Sequence, residues 1–158
     1  MGMQYDVKSK HLNSSGVAYG SRTRLKGAIL SANAAAAQRN VLFLDNNPQA
    51  GTYSITSTTM TVTVANTLTA GDSVWLDFTS GSGVDGEYTV LTANANSFTV
   101  TTAASGTGNV RLFATTLLEA DAYNPVAYSI LVPGEGILAE NGIYVGMAAN
   151  ITVTTFYG

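Results

Sequence analysis

Three groups of residues have types and spacings that could do chemistry. The first is Gly81-x-Gly83-x-x-Gly86, within "TSGSGVDGEYTV" at 79–90. A glycine fingerprint of this form cradles phosphate when a strand precedes it and a helix opens on its last glycine, because free N–H groups and the helix dipole hold the anion. Val74–Phe78 reads as a strand, but Glu87-Tyr88-Thr89-Val90-Leu91-Thr92 is aromatic and β-branched, which suits a second strand. The segment therefore reads as a hairpin loop with no nucleotide to bind. The second group is acidic. Asp85 and Glu87 are two apart, on one side of an extended segment, with Asp77 across the hairpin. They could hold a calcium ion, but the spacing of an EF-hand is missing, and a solvated acidic turn explains them as well. The third is His11, the only histidine. It has Ser9, Ser14 and Asp6 nearby in sequence, but no nucleophile elbow, so catalysis is not expected and an edge-strand histidine is.

Basic residues form a different pattern. Arg22, Arg24 and Lys26 alternate, as do Lys8 and Lys10, so a strand would show each set on one face. Three readings stand: a solvated strand face, a surface that docks on an acidic protein, or a nucleic-acid contact. The last wants interleaved aromatics and a basic domain, and only Tyr5 and Tyr19 are close. For carbohydrate, the candidate stacking rings are Trp75, Tyr53, Tyr88 and Tyr123; Trp75, between Val74 and Leu76, suits a core.

The elements that must position these residues are strands. Apolar residues make up 46% of the 158, enough for a core, while charged residues are 11% against about 25% in typical soluble domains. Such a surface is poorly defended against association and predicts a subunit of a homo-oligomer or larger assembly. With no cysteine, thiolate chemistry and disulfides are excluded, and no metal or other cofactor is expected. The first ten residues lack an apolar signal-peptide core. The uncharged runs at 46–71 and 88–110 carry too many Thr, Ser, Asn and Gly to cross a membrane, so no membrane partner is expected. Net charge is −3, yet residues 1–40 set six bases against Asp6 (+5) and residues 41–158 set Arg111 against nine acids (−8).

Helical periodicity is confined to Ala32–Gln38, too short to stand alone. Short β-prone runs punctuated by Gly, Asn, Asp and Pro predict an all-β chain, with strands near 4–10, 16–20, 22–31, 40–45, 52–56, 59–65, 73–79, 87–93, 97–102, 109–113, 126–132, 136–139, 143–147 and 150–157. From Gly51 the chain turns Thr-rich and nearly free of basic residues. Residues 51–113 therefore read as a small β-barrel-like or β-sandwich module inserted in a loop of an outer β-sandwich or jelly-roll-like domain made of 1–50 and 114–158.

The opening "YDVKSKHLNSSGVAYGSRTRLKGAIL" and the closing "SILVPGEGILAENGIYVGMAANITVTTFYG" resemble short structural proteins of tailed phages, including those of T7-like marine cyanophages. The Thr-rich middle is similar to a β module found within phage head and tail proteins. The resemblance implies a non-enzymatic virion component assembled in the host cytoplasm. It is expected to be a capsid decoration or cement protein, or alternatively a tail or nozzle subunit or a host-glycan-binding appendage. Its partners would be the major capsid protein or tail components, and Lys8, Lys10, Arg22, Arg24 and Lys26 are the docking candidates, with no nucleic acid involved.

Overall fold

The computed structural model describes residues 6–33, 39–124 and 126–158, with only the backbone of Arg39. The chain is all-β, with fifteen strands and no helix among the described residues. It divides into two compact units, Met1–Asn47 with Thr116–Gly158, and Pro48–Thr115.

The first unit is a sandwich. One sheet runs β1 (Lys8–Leu12), β15 (Ile151–Tyr157), β3 (Thr23–Ala32), β12 (Tyr128–Leu131), with β13 (Ile137–Ala139) also on β3. The other runs β11 (Thr116–Ala122), β4 (Arg39–Asp45), β14 (Ile143–Met147), β2 (Gly16–Tyr19). From β1 to β4 the chain changes sheet at every step, which with this strand order is the jelly-roll arrangement of two Greek keys. Alternation fixes the faces. In β15, Ile151, Val153, Thr155 and Tyr157 are buried while Thr152, Thr154 and Phe156 are not. Both sheets fill one core, with Leu25, Leu30 and Val153 from one and Phe43, Ile143 and Val145 from the other.

The second unit is a closed barrel, β10-β5-β6-β9-β8-β7, made of β5 (Gln49–Thr56), β6 (Thr59–Thr63), β7 (Ser73–Phe78), β8 (Gly86–Asn94), β9 (Ser97–Thr101) and β10 (Gly106–Phe113). β10 closes it by pairing with both β5 and β7. Six strands leave room only for side chains. Met60, Val62, Leu76, Phe98, Val100 and Leu112 fill it. The barrel interrupts the sandwich between β4 and β11, which are ladder neighbours with Leu44 opposite Thr116.

Two expectations are corrected. The sequence pattern leaves 114–125 without a strand, yet β11 lies there. Leu117, Leu118, Glu119 and Ala120 have helical rather than strand preferences, and pairing with β4 overrides them. Among the described residues the first strand is β1 at Lys8–Leu12, shifted from the expected 4–10, of which 4–5 lie outside the described residues; its register is set by β15, from Lys8 opposite Tyr157 to Leu12 opposite Val153. Of the helix-friendly stretch, Ala32 belongs to β3, and 34–38 lies outside the described residues.

Candidate docking face and a cationic cleft

The fold separates the five basic candidates. Direct partners in an antiparallel ladder share a face. Lys8 opposes Tyr157 and Lys10 opposes Thr155, so both point to the core side of an edge strand. Arg24 lies on the opposite, outer side of β3, and the ladder to β15 shifts at Lys26, from Leu25 opposite Tyr157 to Gly27 opposite Phe156. Arg22 precedes β3, so the three alternating cations are not all carried by one strand face.

Acids distant in sequence fold back onto them. Arg22 Nε meets Glu140 Oε2 at 2.8 Å. Arg24 Nε lies 3.8 Å from Glu135 Oε2, and its Nη1 donates to the Gly136 carbonyl at 3.2 Å. Lys26 Nζ donates to the Glu135 carbonyl at 3.0 Å. The +5/−8 division of the sequence therefore does not survive folding. The sandwich unit holds six acids and six bases, and the barrel unit holds four acids against Arg111.

The outer side of the β1-β15-β3-β12 sheet is nearly uncharged. Ser9 and His11 of β1 lie opposite Phe156 and Thr154, and Ser129 and Leu131 of β12 lie opposite Ile29 and Gly27. Leu131 is 83% exposed, Val7 43% and Ile29 40%. Val7, Leu131, Val132 and Phe156, with Lys26 and Gly134, line a shallow depression of about 360 Å³. An apolar patch on an otherwise polar sheet, with cations at its margin, has the make-up of a protein-contact surface. Sequence reading found the cations but not this patch. Its signal was the outward place of Phe156 in the alternating "ITVTTFY".

At one end of the sandwich, where β1 and β3 begin and β15 ends, a cleft of about 410 Å³ is lined by Lys8, Tyr19, Arg22, Arg24 and Tyr157, with Asp6 also in its wall. Tyr19 and Tyr157 stack at 4.8 Å and 27°. The Lys8 ammonium sits 6.0 Å from the Tyr19 ring centre, within cation–π range. Lys10 does not line the cleft.

The other candidates resolve differently. Gly81 and Gly83 lie in the loop joining the antiparallel strands β7 and β8, and Gly86 opens β8 rather than a helix. The N–H groups of Thr79, Ser80 and Gly83 are committed within the barrel. Gly83 N–H donates to Tyr53 Oη at 2.9 Å, which itself donates to the Ser80 carbonyl at 3.2 Å, and Thr79 N–H donates to the Asn109 carbonyl at 3.0 Å. Asp85 Oδ1 accepts from Phe78 N–H at 2.7 Å, and burial pushes its carboxyl above the ordinary value. Asp77 is buried and accepts from Arg111 Nε at 2.6 Å. Among the described residues no three His, Asp or Glu side chains gather as a metal site would need. His11 Nδ1 lies 3.0 Å from Thr154 Oγ1 on the exposed sheet face. Of the aromatic candidates, Trp75 and Tyr53 are buried and Tyr88 is half-buried, with burial raising its phenol pKa. Tyr123 is exposed beside Tyr128, ring centres 6.4 Å apart.

No family model, curated protein or solved structure matches the chain.

Proposed function

We propose that this chain is a non-enzymatic structural protein of a tailed-phage virion, a head decoration or cement protein that docks on the shell through the outer face of the β1-β15-β3-β12 sheet. The observation that carries the reading is Leu131, 83% exposed in an apolar depression that Val7, Val132 and Phe156 also line, with Lys26 as its one cation. The partner it fits is a protein surface with an apolar centre and an acidic rim. Complementary charge would set approach and register, and apolar burial would hold the contact. The likeness of both chain ends to phage structural proteins supports the virion as the setting. Near-balanced charge on the sandwich argues against nucleic acid as the partner. If copies also associate with one another, faces are better suited than edges. β2, β12 and β13 are short, β11 carries a register shift, and β1 turns Lys8 and Lys10 inward, all of which discourage edge pairing.

The test is attachment of recombinant protein to particles lacking it. Leu131→Glu should weaken attachment about thirtyfold, as loss of a central apolar anchor does. Reversing Arg22, Arg24 and Lys26 to Glu should weaken it further and flatten its salt dependence. Attachment by both variants equal to that of the unaltered protein would overturn the proposal. Densitometry of purified particles separates head from tail, since a decoration protein should number scores to hundreds of copies and a tail ring about six or twelve.

A further inference from the structure

We infer that the cleft at the sandwich end is a seat for a single carboxylate, an acidic side chain presented by the docking partner; this rests on the docking reading above. Five of its walls are fixed by the fold. Tyr19 and Tyr157 stack on each other and form a stiff side, Lys8 projects from the core side of β1, Arg22 comes from the residues just before β3, and Arg24 comes from its start. Its volume of about 410 Å³, at the small end for a ligand cleft, admits one side chain with water around it.

Charge sets the chemistry. Arg22 is already met by Glu140 and Arg24 by Glu135, both exposed pairs at the margin. Lys8 has no carboxylate within ion-pairing distance among the described residues and is held only by its approach to the Tyr19 ring. The cleft thus offers one uncommitted positive charge with two guanidinium groups beside it. Asp6 in the same wall, with the terminal Gly158 beside it, opposes a second negative charge. A phosphate dianion or a nucleic-acid backbone would meet that opposition, whereas a lone carboxylate can pair with Lys8 and leave Asp6 in solvent. Lys10, on the same strand and the same side but outside the cleft, provides an internal control.

The first arm titrates the intact protein with N-acetylglutamate N-methylamide and follows the lysine side-chain and tyrosine ring signals by NMR. Saturable movement of Lys8 and Tyr19 in the millimolar range is expected, with Lys10 unmoved and inorganic phosphate less effective. Lys8→Gln should abolish the response while the Tyr19–Tyr157 ring contacts persist, which shows that the fold is kept. Equal movement of Lys8 and Lys10 would reduce the effect to general ionic screening and overturn the inference. The second arm measures attachment to particles lacking the protein. Lys8→Glu should weaken it about tenfold or more, and Lys10→Glu should leave it unchanged. Equal attachment by both would show that the partner does not use the cleft and would overturn its assignment. If the unaltered protein fails to attach at all, the docking reading falls, and the titration alone judges the carboxylate seat.

Discussion

The two β units meet the same hazard in opposite ways. A sheet edge exposes a row of unpaired backbone groups that invites pairing with another chain. The barrel removes its edges, because β10 joins β5 on one side and β7 on the other. The sandwich keeps its edges and makes each one unattractive, by shortness, a register shift or inward lysines. Their charges differ to match. Arg111, the barrel's only base, opposes Asp77 across the closing β10–β7 seam, whereas the sandwich's pairs lie on its surface. Closure commits the barrel's polar backbone to itself, and the open sandwich is left with faces and ends that can receive a partner.

The largest effect should come from blocking the barrel's closing strand. A Cβ on Gly108 of β10 would overlap the Ser80 carbonyl and lie 2.9 Å from Tyr53 Cε1. Gly108→Val should therefore cost the barrel on the order of 3 kcal/mol. Gly16 of β2 has open space around it, and Gly16→Val should cost less than about 0.5 kcal/mol. Urea denaturation followed by Trp75 fluorescence for the barrel and by circular dichroism for the whole chain checks both. Similar losses at the two glycines would erase the distinction between a closed seam and a tolerant edge.

A smaller effect should separate the ion pairs. The Asp77 side chain is only 11% exposed, while that of Arg111 is 45% exposed. Arg111→Ala strands a largely buried carboxylate and should cost about 1–3 kcal/mol, less than a fully buried pair because solvent reaches the guanidinium. Arg22→Ala removes an exposed partner of Glu140 and should fall within about 0.5 kcal/mol. Denaturant midpoints at low and high salt would compare them, and an equal loss would show that the seam pair has no special weight.

The smallest effect concerns Asp85. Partial desolvation, opposed in part by the Phe78 N–H bond, raises its carboxyl above the ordinary 3.8. A raised carboxyl means that the folded barrel holds the proton more tightly than the unfolded chain does. Its charge therefore opposes folding at neutral pH, and that opposition fades as pH falls through the raised value toward 3.8. Asp85→Asn keeps an acceptor for Phe78 and removes the charge. Its stability advantage over the unaltered protein should be present at pH 7 and gone below about pH 4. Midpoints across that range test it, and a constant difference would remove burial of this charge as the cause.

Local signals made most of the fold legible. Runs such as Ile151–Tyr157 and Val74–Phe78 are rich in β-branched or aromatic residues and bounded by turn residues, so the all-β architecture could be read directly. Where local preference and tertiary pairing disagree, reading stopped short. β11 is built from helix formers, and the first half of β10 carries Gly106 and Gly108, which weaken any strand signal. The basic residues were visible, but their fate was not. Glu135 and Glu140 lie more than a hundred residues from the arginines they meet, and no spacing rule encodes that meeting. Lys8 and Lys10 look equivalent in sequence, and only the stacked Tyr19 and Tyr157 distinguish them.

The position of β15 governs how the molecule can be made. It lies between β1 and β3, and its register joins Tyr157 to both Lys8 and Leu25. On a ribosome, the sandwich therefore cannot zip its first sheet until β15 has emerged, and β1 and β3 must wait unpaired with each other. Every strand of the barrel lies within Gln49–Phe113, so its ladder can be complete while the sandwich is still half synthesised. Contacts over long sequence separations also form slowly once available. The nascent chain should pass through a stage with an assembled barrel on an unfinished sandwich, when the exposed strands most need the protection of chaperones. Pulsed hydrogen exchange on stalled chains would read this order from whether Phe98 or Leu30 gains protection first.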